Sequence, residues 1–154
     1  MSEEQQQPLF NIEKIYLKDA SVEVPNAPQV FLARETPQVD VQVHTQGGPV
    51  DEGVYEVVLT VTVTAKLPDD KTMFLVEASQ AGIFTMRNIP ASDLEAILGI
   101  GCPNIVFPYV RETISDLVSR SGFPPVILSP MNFEAMYAQK QAQAQADENP
   151  GSTH

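Results

Sequence analysis

The chain has 154 residues, a formal charge of −11 at pH 7 and a single cysteine. This length fits one domain, and so acidic a charge disfavours nucleic acid, whose phosphate backbone requires clustered basic residues. A lone cysteine forms no intrachain disulfide, which agrees with a reducing compartment. Residues 1–7 lack the basic flank and apolar run of a secretion signal, and no stretch reaches membrane-spanning length. We therefore expect a cytoplasmic protein.

The first part of the chain is predicted to be an irregular strand followed by a long connection. Apolar residues alternate from Phe10 to Val24 with slips of phase, which predicts a bulged or bent strand. Residues 25–37 are punctuated by prolines and carry Phe31. Connections of this length are often functional.

Three further strands are predicted before residue 81. The second has one apolar face, formed by Val39, Val41 and Val43, and ends at Gly47-Gly48-Pro49. The third alternates over residues 55–67 and gives the clearest antiparallel signal in the chain. The fourth, residues 72–80, is apolar on both faces between Met73 and Val76, so it needs a partner on each side.

Helical periodicity replaces the strand pattern after Pro90. Ser92 and Glu95 have the spacing of a capping box for a short helix, and Gly99-Ile100-Gly101 is interpreted as a break before the main helix. That main helix is predicted from an apolar face formed by Val110, Ile114, Leu117 and Val118. A final amphipathic helix is predicted from Phe133, Met136 and Tyr137.

The order of the elements predicts an α+β fold: a four-stranded antiparallel sheet with helices packed on one side. We expect a flexible N-terminus over residues 1–8 and a single domain over residues 9–138. The glutamine- and alanine-rich segment 139–154 lacks large apolar residues and is predicted to be a disordered tail.

Catalytic patterns are weak throughout the sequence. The two histidines, His44 on the polar face of a strand and His154 at the last position, give Cys102 no evident base. Cys102 has two interpretations: a thiol activated at a helix N-terminus, or a small buried packing residue, which we favour.

Patterns for metal and nucleotide sites are also absent from the sequence. Adjacent acidic residues in turns match no metal site, and Gly99-Ile100-Gly101 lacks the third glycine of a dinucleotide site. We therefore predict no enzymatic activity, no metal and no cofactor, and a small cysteine-dependent enzyme or a purely structural oligomer remain the alternatives.

One long segment resembles a known family. Residues 99–112 read Gly-Ile-Gly-Cys-Pro-Asn-Ile-Val-Phe-Pro-Tyr-Val-Arg-Glu. This closely resembles the helical signature of the SecB chaperones of protein export. Further matching segments, in family order, are residues 15–28, 54–65, 80–84 and 130–133.

The resemblance implies a chaperone that binds unfolded secretory preproteins and delivers them to the SecA ATPase. It also implies a homotetramer built as a dimer of dimers, with no cofactor and no membrane insertion. A SecB-like chaperone dedicated to a toxin-antitoxin system is the alternative within the same fold.

Three sets of residues are predicted to carry these roles. The unfolded client would contact a groove lined by Phe31, Val39, Val41, Val43, Phe133, Met136 and Tyr137. The resemblance assigns SecA binding to Asp19, Glu23, Leu75 and Glu77. The oligomer interface is predicted at Val76, Ala78 and Gln80, because an apolar strip on an isolated sheet would be exposed there.

Overall fold

In the computed structural model, which describes residues 7–148, a four-stranded antiparallel sheet is followed by helices. The strands are β1 (Leu9–Glu23), β2 (Gln38–Asp51), β3 (Val54–Lys66) and β4 (Thr72–Arg87). They lie in the order β1-β4-β3-β2, so β1 and β2 form the two edges. The predicted sheet is confirmed.

Two strands run further than the sequence pattern predicted. β2 continues through the glycine pair because Gly47 and Gly48 stay extended and pair with Val57 and Glu56 of β3. β4 continues past Gln80 because its second half pairs with both β1 and β3. The longer strands give the sheet more surface than the predicted segments would.

The bulges predicted in the first strand are present. The pairing of β1 with β4 shifts between Ile12 and Lys14 and again between Leu17 and Asp19. Each bulge inserts one extra residue and realigns the side chains that follow. Apolar residues on both sides of the bulges therefore share one face of the sheet.

The helices are α1 (Ala91–Ala96), α2 (Cys102–Arg120) and α3 (Phe133–Glu148). The break predicted at Gly99-Ile100-Gly101 is wrong, because Ile97–Gly101 form a π-helical turn that joins α1 to α2. The predicted capping box is also absent: Pro90 occupies the N-cap position, and no side chain caps the helix. The helix thus begins before Ser92 reaches a capping position.

The predicted limits of the domain are partly corrected. β1 begins at Leu9, as expected, and residues 1–6 lie outside the described residues. The prediction of a disordered tail is wrong for residues 139–148, which continue α3. Alanine and glutamine are good helix formers, so this segment stays helical although it is exposed along its whole length. Residues 149–154 lie outside the described residues.

The core lies between α2 and one face of the two central strands, which we call the helix side of the sheet. α2 buries Val106, Val110, Ile114 and Val118 against β3 and β4. The buried Gln80 on this side accepts a hydrogen bond from Thr113 Oγ1 at 3.2 Å. The opposite surface, which we call the outer face, carries no helix of the described chain.

The predicted oligomer strip is corrected by this arrangement. Val76 and Ala78 are fully buried on the helix side within one chain, and Gln80 is buried beside them. The premise that an isolated sheet would expose them is therefore wrong. The residues that β4 presents on the outer face are instead Leu75, Glu77 and Ser79.

A substitution in β4 distinguishes these two faces. Val76→Lys buries a charged chain in the core, so we expect it to lower the free energy of unfolding by about 3 kcal/mol or more. Leu75→Lys, the matched change on the outer face, should cost less than about 1 kcal/mol. Urea unfolding followed by circular dichroism measures both. A stable Val76→Lys variant that merely dissociates, as seen by light scattering, would restore the original interface prediction.

Candidate functional site

The helix side of the sheet is wider than the helix that covers it. α2 lies over β3 and β4, and the apolar side chains of both edge strands stay exposed on the same side. On β2, Val39 and Val41 are 44% and 40% exposed, although they pair with the buried Ala65 and Val63. On β1 the exposed residues are Phe10, Ile12, Leu17 and Val22.

An aromatic cluster marks one end of the uncovered surface along β2. Phe31 stacks on Phe123 with ring centroids 5.0 Å apart, and Phe74 meets Phe123 edge-on at 5.1 Å. Gly122 has a φ of +93° and packs against the Phe31 ring, where a Cβ would lie 2.9 Å from Cε1. The glycine both ends α2 and admits the aromatic side chain. Phe31 itself remains half exposed.

A cavity of about 490 Å³ marks the other end of this surface. β2 forms one wall with residues 43–47, and α3 forms another with Met136 and Tyr137. The π-helical turn contributes Leu98 and Gly99. Gly99 is required here because a Cβ at this position would overlap the Tyr137 ring.

The predicted groove residues therefore occupy one surface with two ends. Val43, Phe133, Met136 and Tyr137 line the cavity, Phe31 belongs to the aromatic cluster, and Val39 and Val41 lie along β2. Phe133 is only 2% exposed and packs edge-on against Phe107 at 6.0 Å, so it is mainly a core residue. We call this surface the β2 groove.

Sequence reasoning missed three residues of the β2 groove. Phe123 follows the glycine that ends α2, and its aromatic ring beside a proline pair was a usable signal. Leu98 and Gly99 were missed because the glycine-rich segment was interpreted as a break, whereas it forms a wall of the cavity.

The four residues predicted to contact SecA share the outer face. Glu23 lies directly opposite Leu75, and its neighbour two residues back, Ser21, lies opposite Glu77. Asp19 pairs with Ser79 on the same face. Glu77 accepts a hydrogen bond from Thr62 Oγ1 at 2.8 Å. We call Asp19, Glu23, Leu75 and Glu77 the acidic patch.

A second polar cluster lies on the outer face beside the acidic patch. Tyr16 donates a hydrogen bond to Glu56 Oε2, and Lys18 Nζ lies 2.9 and 3.1 Å from the two carboxylate oxygens. The Tyr16 hydroxyl, together with Lys18, holds the pKa of Glu56 below its usual range. The same hydrogen bond raises the pKa of Tyr16 to about 12.

The described residues do not assemble a catalytic site. Cys102 is fully buried, and desolvation raises the pKa of its thiol to about 12, so it is not a nucleophile at neutral pH. His44 lies on β2 and pairs with Thr60 of β3. Residues 7–148 contain no group of three potential metal ligands, and none of their helices has the length and apolarity to cross a membrane.

Comparison with known proteins decides the family. The family model described as preprotein translocase subunit SecB matches residues 3–144. The chain belongs to the SecB family. The SecB family consists of protein-export chaperones and not of enzymes, so the predicted absence of catalysis agrees with the family.

The similarity to curated SecB proteins extends over nearly the whole chain. The protein-export protein SecB of Chromobacterium violaceum is 63% identical, with 93% of this chain and 95% of that protein covered. The SecB of Nitrosospira multiformis is 58% identical over 97% and 94%. Among solved structures, a SecB-like chaperone of Mycobacterium tuberculosis in complex with a ChAD peptide from the HigA1 antitoxin has a TM-score of 0.67. It is 17% identical, covers 80% of this chain and 91% of that one, and so shows the shared fold.

A pair of glycines in the π-helical turn tests how the cavity is built. Gly99→Ala should displace Tyr137 and loosen α3, because the new methyl group overlaps the ring. Gly101→Ala is the matched control, since its nearest contact would be an ordinary 3.9 Å to Ile97. Hydrogen exchange should accelerate in α3 of the first variant alone. Equal exchange in the two variants would contradict this account of the cavity wall.

Proposed function

We propose that this chain is an export chaperone that binds unfolded secretory preproteins in the cytoplasm and delivers them to the SecA ATPase as a homotetramer. The observation that carries this proposal is the β2 groove, an exposed apolar surface that joins the aromatic cluster to the cavity under α3. Exposed apolar surface of this kind marks an interaction site.

The groove suits an unfolded client for two reasons. First, apolar burial of about 25 cal/mol per Å² is non-directional, so it favours many sequences without a fixed pattern of hydrogen bonds. Second, the groove is elongated: Val39 and Val43 are four residues apart on β2, about 13 Å at 3.3 Å per residue, before either end is counted. Met136 and Tyr137 add adaptable and aromatic surface. An extended segment of several residues fits such a surface.

The exposed apolar strip of β1 supports assembly. Phe10, Ile12 and Leu17 lie on the helix side, at an edge strand whose outer hydrogen-bonding groups have no partner in the described chain. Exposed edges with apolar faces are normally covered in native proteins. Pairing with the same strip of a second copy would cover both by twofold symmetry. We therefore move the proposed subunit contact from Val76, Ala78 and Gln80 to this strip, and a dimer of such dimers gives the tetramer.

The acidic patch supports delivery to SecA. Three carboxylates share with Leu75 a sheet face that α2 and α3 leave free, and Glu23 lies directly opposite Leu75. A separate location for the partner lets client and SecA bind the same molecule at once. Charges at such a surface act mainly on association rate and orientation.

The toxin-antitoxin alternative has weaker support. The relatives at about 60% identity are protein-export proteins, whereas the structure bound to an antitoxin peptide shares 17% identity. A likeness at that level concerns the fold. We therefore propose secretory preproteins as the clients.

The client role predicts a separation between binding and stability. Met136→Ala with Tyr137→Ala removes exposed apolar surface from the β2 groove, so client affinity should fall about tenfold or more. Phe133→Ala is the control for the core, and it should lower the free energy of unfolding by about 3–5 kcal/mol. Slowed refolding of a preprotein reports client binding, and urea unfolding reports stability. If the double variant loses stability and client binding in proportion, these residues belong only to the core.

The SecA role predicts a separation between partner and client. Asp19→Lys with Glu77→Lys should weaken SecA binding at least about tenfold at low salt, because it reverses two of the three charges of the acidic patch. Client holding should remain. Asp93→Lys with Glu134→Lys makes the same change of charge at exposed helix positions and should leave SecA binding intact.

The affinity of the wild-type chain for SecA should also fall as the salt concentration rises, since such charges are screened beyond about 8 Å.

Calorimetry with purified SecA and a refolding assay measure the two activities separately. Undiminished SecA binding in a correctly assembled Asp19→Lys, Glu77→Lys variant would remove the acidic patch from the partner site.

A further inference from the structure

We propose that Lys18 is a specificity-determining residue that ends the acidic patch and thereby fixes where a basic segment of the partner lies along β1. The proposal rests on the proposed partner role of the outer face and identifies the chemistry that this face selects. It follows from the position of Lys18 between the three carboxylates of the acidic patch and the carboxylate of Glu56.

The bulge in β1 places Lys18 at a boundary. It is the extra residue between Leu17 and Asp19, and its side chain crosses the central strand β4 to reach Glu56 on β3. On one side of this boundary lie the carboxylates of the acidic patch, and on the other lies Glu56.

A small residue of β4 lets the Tyr16 side chain reach Glu56 as well. Tyr16 lies opposite Ala81, which is fully buried although it is on the outer face. The tyrosine therefore reaches over a methyl group to the carboxylate on the next strand.

Glu56 cannot add to the attraction of the acidic patch while this cluster is intact. Both of its oxygens contact Lys18, one also accepts from Tyr16, and its side chain is only 20% exposed. The Lys18 side chain is 49% exposed, so its charge still faces an incoming partner. A basic partner residue is attracted over Glu23 and Glu77 and repelled next to Lys18. The screening length of about 8 Å confines this repulsion to the boundary.

Substitution of Lys18 should extend the acidic surface. Lys18→Met removes the repelling charge and leaves the Glu56 carboxylate held by Tyr16 alone, whereas Lys14→Met removes one charge and leaves Glu56 paired with Lys18. Lys14 is the matched control because it lies on the same face, in register with Ile83 and Glu56, and makes no ion pair within residues 7–148. Lys18→Met with Glu56→Gln should return the surface to its original extent.

The experiment uses the full chain with isoleucine and leucine methyl groups labelled for NMR and a synthetic lysine-rich peptide of about twelve residues. Leu75 reports on the acidic patch, and Ile83 reports on the neighbourhood of Glu56. In the wild type and in Lys14→Met, the peptide should shift Leu75 and leave Ile83 unchanged. In Lys18→Met the peptide should shift both methyl signals. The peptide should also bind Lys18→Met about threefold more tightly than Lys14→Met.

Two results would overturn the proposal. The first is that the peptide binds both single variants with equal affinity and leaves Ile83 unshifted in each. The cluster of Tyr16, Lys18 and Glu56 would then only join β1 to β3 and have no role in recognition. A wild-type peptide footprint that includes Ile83 or omits Leu75 would show that Lys18 sets no boundary. Either result leaves the SecA role to be decided by the charge-reversal experiment with SecA itself, so the two failures are distinguishable.

Discussion

The structure depends on a mismatch of width: one long helix covers two central strands of a four-stranded sheet. Burial of valine, leucine and phenylalanine between α2 and the pair β3 and β4 supplies the core. The same alternation continues onto both edge strands, where several apolar side chains stay exposed beyond α2. The edges therefore present apolar surface that a soluble protein normally covers. At β1 we assign the cover to a second copy, and at β2 to the client.

The two faces of the sheet separate two kinds of recognition. The helix side offers apolar surface, whose contribution depends on buried area and tolerates many client sequences. The outer face offers charges at fixed register positions, which select for orientation and for basic character. A strand directs successive side chains to opposite faces, so one strand can serve both. In β1 the extra residue of the bulge at Lys18 shifts this alternation, so that Leu17 lies on the helix side and Asp19 on the outer face.

Much of the fold was predictable because its signals are local. The alternation over β3 and the phase slips of β1 predicted a central strand and a bulged strand, and both are confirmed. The faces of β4 were not predictable in the same way. Met73 to Val76 are apolar at every position, so only the pairing of Val76 with Val63 shows which side faces α2. The premise that Val76 and Ala78 would be exposed in one chain was wrong for this reason.

Another error arose where a glycine had a tertiary role. Gly99 suggested the end of a helix, whereas it lies in a π-helical turn that makes room for Tyr137. No local pattern contains that information, because the tyrosine lies on α3. The acidic patch shows the opposite case: its four residues were chosen by resemblance, and the register of β1 and β4 brings them to one face.

The central claim is that surface left uncovered in one chain is covered by copies of the chain and by client. Native mass spectrometry of the full chain, alone and with an equimolar unfolded preprotein, tests both halves in one measurement. The account predicts tetramers alone at low micromolar concentration and tetramers carrying preprotein in the mixture. Monomers that bind no preprotein, while remaining folded by circular dichroism, would contradict it.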